Sequence, residues 1–274
     1  MPNTSFAHRI RRKPATLRGA PKLLLIGATL LLLLLITLPL MAIALRSAPT
    51  FWLAVGASEV GQAIRLTALT SGLALVVIVL LGTPAAWLIA RRQVRGWKIL
   101  DAVLDLPVVL PPSVAGIGLL IAFGRNGLIG AFLDEVGIQI AFSSAAVVIA
   151  QVFVSAPLYI RAAVIGMRRI DEDMESVAMV EGASTWQVFR FVTLPLSAPA
   201  LATGGVLAWA RALGEFGATI LFAGNLVGRT QTMALAIYVE FQNNIDAALA
   251  LALLLTLTSL FVLIAVRWVA HSEP

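Results

Sequence analysis

The chain of 274 residues contains no cysteine and only two histidines, and charged residues make up just 12% of it. Without cysteine there can be no disulfide and no thiolate-held metal. His8 and His271 stand at the two termini, a poor place for catalytic or metal-ligating work, and the scattered serines and threonines have no histidine beside them. No glycine-rich loop ending in Lys-Ser/Thr is present, so the chain does not hold a nucleotide by that route. Strand-type alternation is also missing, which leaves helices rather than a closed barrel to satisfy the backbone in lipid. These absences exclude an enzyme active site of the common kinds. No cofactor or metal is expected in this chain.

What fills the sequence instead is apolar: 59% of residues are hydrophobic and the mean hydropathy is +0.94, far from a soluble domain. A membrane-crossing helix takes roughly 20 apolar residues. Runs at 23–45, 66–90, 102–124, 144–166, 196–222 and 247–270 meet that length, so the expected fold is an all-α integral membrane protein with about six spans. The first run follows basic residues and is too long for a signal-peptide core, so it is expected to be retained. With the N-terminus placed in the cytoplasm, fifteen of the twenty Lys and Arg residues fall on that side. Both termini and the 167–195 loop are therefore expected in the cytoplasm. The division expected is a basic segment 1–22, a membrane domain 23–270 and a short tail 271–274, with no appended sensing domain. Lipid and topology account for the net charge of +6, so nucleic acid is not an expected partner.

One segment breaks the pattern. Five of the fourteen acidic residues lie between Asp171 and Glu181, in a stretch that reads as helix, Gly182 turn, then a second helix from Trp186 with Ser184 or Thr185 as cap and Pro195 leading into the fifth span. An acidic helix this close to the bilayer would be repelled by anionic lipid, so a cytoplasmic protein suits it better as a partner.

The order Glu175, Ala178, Gly182-Ala183-Ser184, Trp186, then Phe189 or Phe191 and Leu194-Pro195 resembles the "EAA" loop of ABC importer permeases. The glutamate stands seven residues before the glycine and Val177 replaces one alanine, a variant similar to the molybdate and sulfate branch. "LDLPVVLPPSVAGIGLL" from Leu104, "ARALGEFGATILFAGN" from Ala210 and "TQTMALAIYVEFQNNIDAALALALLL" from Thr230 resemble the molybdate/tungstate permeases, from about Ala68 onward. The "GEFGA" core is also similar to the sulfate/thiosulfate branch.

That resemblance implies a type I importer permease: a homodimer with the pathway at its interface, two ATPase subunits bound to the coupling loops, and an external oxyanion-binding protein. It implies that Glu175, Ala178, Gly182, Ala183, Ser184 and Trp186 form the ATPase-docking segment. The expected cargo is a tetrahedral oxyanion, molybdate or tungstate first and sulfate or thiosulfate second. Arg211 and Glu215 are spaced i,i+4, as an ion pair fixing helix packing or as a pair lining the pathway. Ser113, Thr219 and Asn225 are neutral donors suited to a weak lining for a dianion. Two other classes remain open, a proton-coupled transporter titrating Glu215 and a membrane scaffold that recruits an ATPase.

Overall fold

The computed structural model describes residues 20–49, 51–52, 56, 58–92 and 95–271, with side chains from 22 to 264 within those ranges. Residues 1–19 of the expected basic segment and the tail 272–274 lie outside the described residues. The chain divides into two units at Arg46/Ser47. The first is dominated by α1 (Ala20–Ser47), which is apolar around its whole circumference, as a lipid-facing span is.

Among its described residues the regular structure of the second unit is all helical: α2 (Ser58–Ala90), α3 (Trp97–Val109), α4 (Pro112–Phe123), α5 (Gly130–Glu135), α6 (Ser144–Arg168), α7 (Glu172–Val180), α8 (Thr185–Leu213), α9 (Gly217–Phe222), α10 (Met233–Asn243) and α11 (Ile245–His271). Among the described residues five helices are long and apolar enough to cross a membrane, and six if α3 and α4 count as one broken span. The protein is an all-helical, multi-pass membrane protein.

Two expected spans are interrupted. The run 102–124 is bent by 115° between α3 and α4. Each residue before a proline is pushed out of the helical region, and here two in succession are, with Leu110 at ψ 134° and Pro111 at ψ 136° before Pro112 restarts the helix. The run 196–222 is likewise not one helix: α8 stops at Leu213 and α9 begins at Gly217.

At its start the same helix reaches further than expected. It runs from the Ser184 cap straight through Pro195, which does not open a new span. Residues Phe189–Thr193 adopt π-helical turns in which the Leu194 amide donates to the Phe189 carbonyl, one residue further back than usual. That wider turn takes up the missing donor and the ring of Pro195. At the other end of the spread, α2 begins at Ser58, so Arg65 lies within a helix rather than in a loop.

Small residues let α2, α6 and α8 pack closely. A Cβ on Gly82 would meet Tyr159 Cδ1 at 2.8 Å, one on Gly204 would meet Ala162 Cβ at 2.8 Å, and one on Gly166 would overlap Ala200. Buried Ile78, Ile89, Tyr159, Met167 and Ala208 fill this core, and Thr83 and Tyr159 share a hydrogen bond of 2.6 Å. A second cluster joins α4, α6 and α9, and a third joins α2, α10 and α11, where the Met233 amide donates to Thr67 Oγ1 at 2.8 Å.

Helix α3 runs antiparallel along α6. Trp97 lies beside Arg168 at its start, Asp101 and Asp105 hold Arg161 in its middle, and Pro107 and Val108 share a cavity with Val154 and Leu158 near its end. In the connection 124–143, Arg125 and Gln139 each donate to Asp134 at 3.0 Å and hold its carboxyl below the ordinary carboxylate range.

Candidate functional site: a docking turn and two facing helix breaks

The 171–193 segment is built by local rules that its residues satisfy in full. Asp171 caps α7 by accepting from the Asp173 amide at 3.1 Å, and Glu172, Asp173 and Glu175 place negative charge in the first turn. The helix ends at Gly182, whose φ of +95° places it in the left-handed region open to glycine. The Ala183 amide then returns to the Ala178 carbonyl at 3.0 Å. Ser184 and Gln187 form a reciprocal capping box that starts α8.

Within this segment Glu175 is buried. Arg91, just past the end of α2, grips it with two bonds, Nε to Oε2 at 2.8 Å and Nη2 to Oε1 at 2.6 Å. Thr193 Oγ1 donates to the same carboxylate at 2.6 Å from the end of the π turn. The side chains of Arg91 and Glu175 are only 7% and 9% exposed. So Glu175 ties α7 to α2 and α8, while other residues form the outward surface. Ala178 and Ala183 are half-buried on either side of the turn, and Gly182, Ser184 and Trp186 are exposed. Met174, Val177, Val180, Trp186 and Phe191 stand exposed around them, an apolar face on a segment otherwise rich in acid. A shallow groove at the turn is lined by Ala178, Gly182, Ala183, Gln187 and Phe191. Trp87 of α2, Phe189 and Trp186 stack in sequence, with ring centroids 5.3 and 5.4 Å apart.

The second group gathers at the two helix breaks. Arg211 Nη1 lies 2.8 Å from Glu215 Oε2, and Glu215 Oε1 accepts from the Ala218 amide at 2.8 Å, capping α9. Glu215 is fully buried and both its oxygens are engaged. Arg211 is 35% exposed and lines a cavity with Pro107, Leu110, Pro112 and Val154. A Cβ on Gly217 would meet Pro112 Cβ at 2.5 Å, and one on Gly116 would meet the Ala218 carbonyl at 2.8 Å, so the breaks of α3/α4 and α8/α9 touch. Ser113 is exposed on the first turn of α4, beside that contact. Thr219 is buried and Asn225 half-buried, and each leaves a side-chain oxygen enclosed without a partner. Nearby on α6, Gln151 donates to the Ala212 carbonyl at 3.2 Å, while its own Oε1 and the Ser155 hydroxyl are unpaired.

Glu215→Gln keeps the acceptor for the Ala218 amide and removes the charge pair. The expected result is normal assembly with transport slowed only a few-fold, measured as initial uptake per assembled complex. Abolished transport from a normally assembled complex would instead put this carboxylate on the pathway.

Residues 78–272, which contain both groups of residues, match the family described as "Binding-protein-dependent transport system inner membrane component". The chain belongs to this family. Two relatives place the permease within it. The "Molybdenum transport system permease protein ModB" of Mycobacterium tuberculosis (strain ATCC 25618 / H37Rv) is 45% identical over 232 residues, covering 84% of this chain and 88% of the relative. The "Sulfate transport system permease protein CysW" of Synechococcus elongatus is 36% identical over 256 residues, covering 89% and 90%. Among solved structures, a bacterial ABC transporter involved in the import of the acidic polysaccharide alginate shares the fold, with a TM-score of 0.69 over 92% of this chain and 98% of that one, at 18% identity.

In the sequence Arg91 is one of the fifteen basic residues expected on the cytoplasmic side, and nothing there links it to Glu175, 84 residues away. The Asp101–Arg161–Asp105 group was missed as well. For that one a signal was available: two carboxylates one turn apart in an apolar run need a cation.

Proposed function

We propose that this permease is the membrane-spanning subunit of an ATP-driven importer for a tetrahedral oxyanion, molybdate or tungstate first and sulfate second. The observation that carries the reading is the helix–Gly182–helix segment, anchored from within by Arg91–Glu175 and apolar on its outer face. A helix entering a protein cleft needs small residues at its point of closest approach, and Ala178, Gly182 and Ala183 supply them. An apolar face exposed at the end of a membrane bundle marks a protein interface. The names of the relatives support the anion: the molybdenum permeases stand at higher identity than the sulfate one.

In this reading two copies of the chain enclose the pathway, and each copy docks one ATPase subunit at residues 175–191. An external binding protein delivers the anion, and the ATPase subunits alone bind ATP and Mg. Both termini and the 167–195 loop face the cytoplasm, and residues 23–270 form the membrane domain. Closing of the ATPase pair draws the docking turns together and rocks the spans, opening the pathway outward. Arg211, at the cavity between the breaks, offers a cation there. Ser113, Thr219 and Asn225 add neutral donors that let the anion pass without being held. Glu215 has both oxygens occupied, which speaks against a proton-coupled carrier that must load and release a proton there.

The test is reconstitution in liposomes with the ATPase and the binding protein, following labelled molybdate. ATP-dependent uptake that excess sulfate leaves unchanged is the expected result. Uptake that sulfate competes away moves the cargo to sulfate, and no ATP-dependent uptake of either anion from an assembled complex sinks the reading.

A further inference from the structure

Two cations at the docking end of the second unit are paired, Arg91 with Glu175 and Arg161 with Asp101 and Asp105. Of those without an acidic partner among the described residues, three converge on one ring. Arg92 Cζ lies 5.2 Å from the centroid of Trp97, Lys98 Nζ lies 5.8 Å from it, and Arg168 Cζ 5.8 Å. They come from three places, the turn after α2, the start of α3 and the last turn of α6, and all three are exposed. The ring attracts each cation, but three like charges gathered this closely repel one another. Acidic side chains are close in sequence, at Asp171, Glu172 and Asp173, but none of them forms an ion pair with these cations. The arrangement fits an anion that this chain does not supply.

Its position identifies the anion. The apolar run of α2 ends at Ala90 and that of α6 at Arg168, so the cluster stands where two spans leave the hydrocarbon, with a tryptophan at headgroup level. Below it, Ile99, Val103 and Leu106 follow each other on one face of α3, and each is more than half exposed. A cationic cup that opens onto an apolar stripe matches a molecule with a phosphate head and a hydrocarbon tail. We infer that Arg92, Lys98, Arg168 and Trp97 form a site for the headgroup of an anionic phospholipid, whose acyl chain lies along α3. Free phosphate has no use for the stripe. The guanidinium groups of Arg92 and Arg168 suit bidentate bonds to phosphate oxygens, and Lys98 adds a point charge.

The test reads Trp97 fluorescence in nanodiscs that contain the full chain with its ATPase subunits. Brominated phosphatidylglycerol and brominated phosphatidylcholine serve as quenchers, and the signal lost in Trp97→Phe isolates this ring. Phosphatidylglycerol is expected to bind preferentially, by about fivefold for each cation, so that R92Q/K98Q/R168Q loses about a hundredfold in relative affinity. The charge-conserving R92K/K98R/R168K variant should keep the preference, which separates loss of charge from loss of fold. Equal quenching by the two lipids would overturn the inference. So would a preference that survives in the glutamine variant, or one displaced by millimolar inorganic phosphate. A preference present only when the ATPase subunits are absent would assign this face to the ATPase and overturn it as well.

Discussion

Arg91→Ala is expected to destabilise the protein severely and to abolish coupled uptake. It leaves the Glu175 carboxylate buried with only Thr193 for company, and stranding one partner of a buried ion pair costs about 3–5 kcal/mol. The loss falls at the junction of α2, α7 and α8, so the segment proposed to receive the ATPase loses its attachment to the bundle. Thermal unfolding should shift down, and ATP hydrolysis by the assembled complex should no longer be matched by uptake. The double variant Arg91→Met/Glu175→Leu removes both charges at similar volume and should recover most of the stability, because apolar replacements of buried pairs are well tolerated. A stable Arg91→Ala complex with normal uptake per ATP would refute the tether.

Gly217→Val is the second large effect. Even a bare Cβ at this position would sit 2.5 Å from Pro112 Cβ, and the helix cannot slide away, because Gly116 already meets the Ala218 backbone one turn along. Overpacking of this kind costs roughly 1–3 kcal/mol, and here it pries apart the two helix breaks that bound the Arg211 cavity. The expected outcome is loss of uptake while the ATPase still copurifies, since the docking segment is untouched. Gly118→Val on the same α4 helix is the control: nothing lies within 4 Å of a Cβ there, so uptake should be unchanged. If the two variants behaved alike, the contact between the breaks would have no part in transport.

The two effects mark the line between what sequence patterns disclose and what they do not. Long apolar runs disclosed the spans, because crossing a bilayer demands a length that few other structures share. The helix–Gly182–helix turn was legible through Gly182 and the Ser184 cap, whose geometry depends only on neighbours in the chain. Pro111-Pro112 lie inside a run long enough for one span, and the 115° bend there follows from two consecutive extended residues. Pro195 misled, because a π turn can pass a proline that an α turn cannot, and nothing in "FRFVTLP" marks the difference. The end of α8 at Leu213 was hidden within a run long enough for a single span, with Gly214 its faint trace. Arg91 and Glu175 meet only because α2 and α7 end at the same place, and such a meeting belongs to the tertiary fold.

The passage of α8 through Pro195 has a mechanical consequence. From Thr185 to Leu213 its 29 residues form one rod about 43 Å long, with the Gly182 turn at one end and Arg211 near the other. No loop lies between them to absorb a push. The π turn at Phe189–Thr193 is the rod's one irregular stretch, and it lies close to the driven end, where Glu175 clamps it through Thr193. From that fulcrum the 20 residues of the long arm extend about 30 Å. A tilt of about five degrees there would swing Leu213 by roughly 2.6 Å, about the radius of an α-helical backbone. A small rotation at the Phe189–Thr193 end thus becomes a larger displacement beside the Arg211 cavity, by leverage alone.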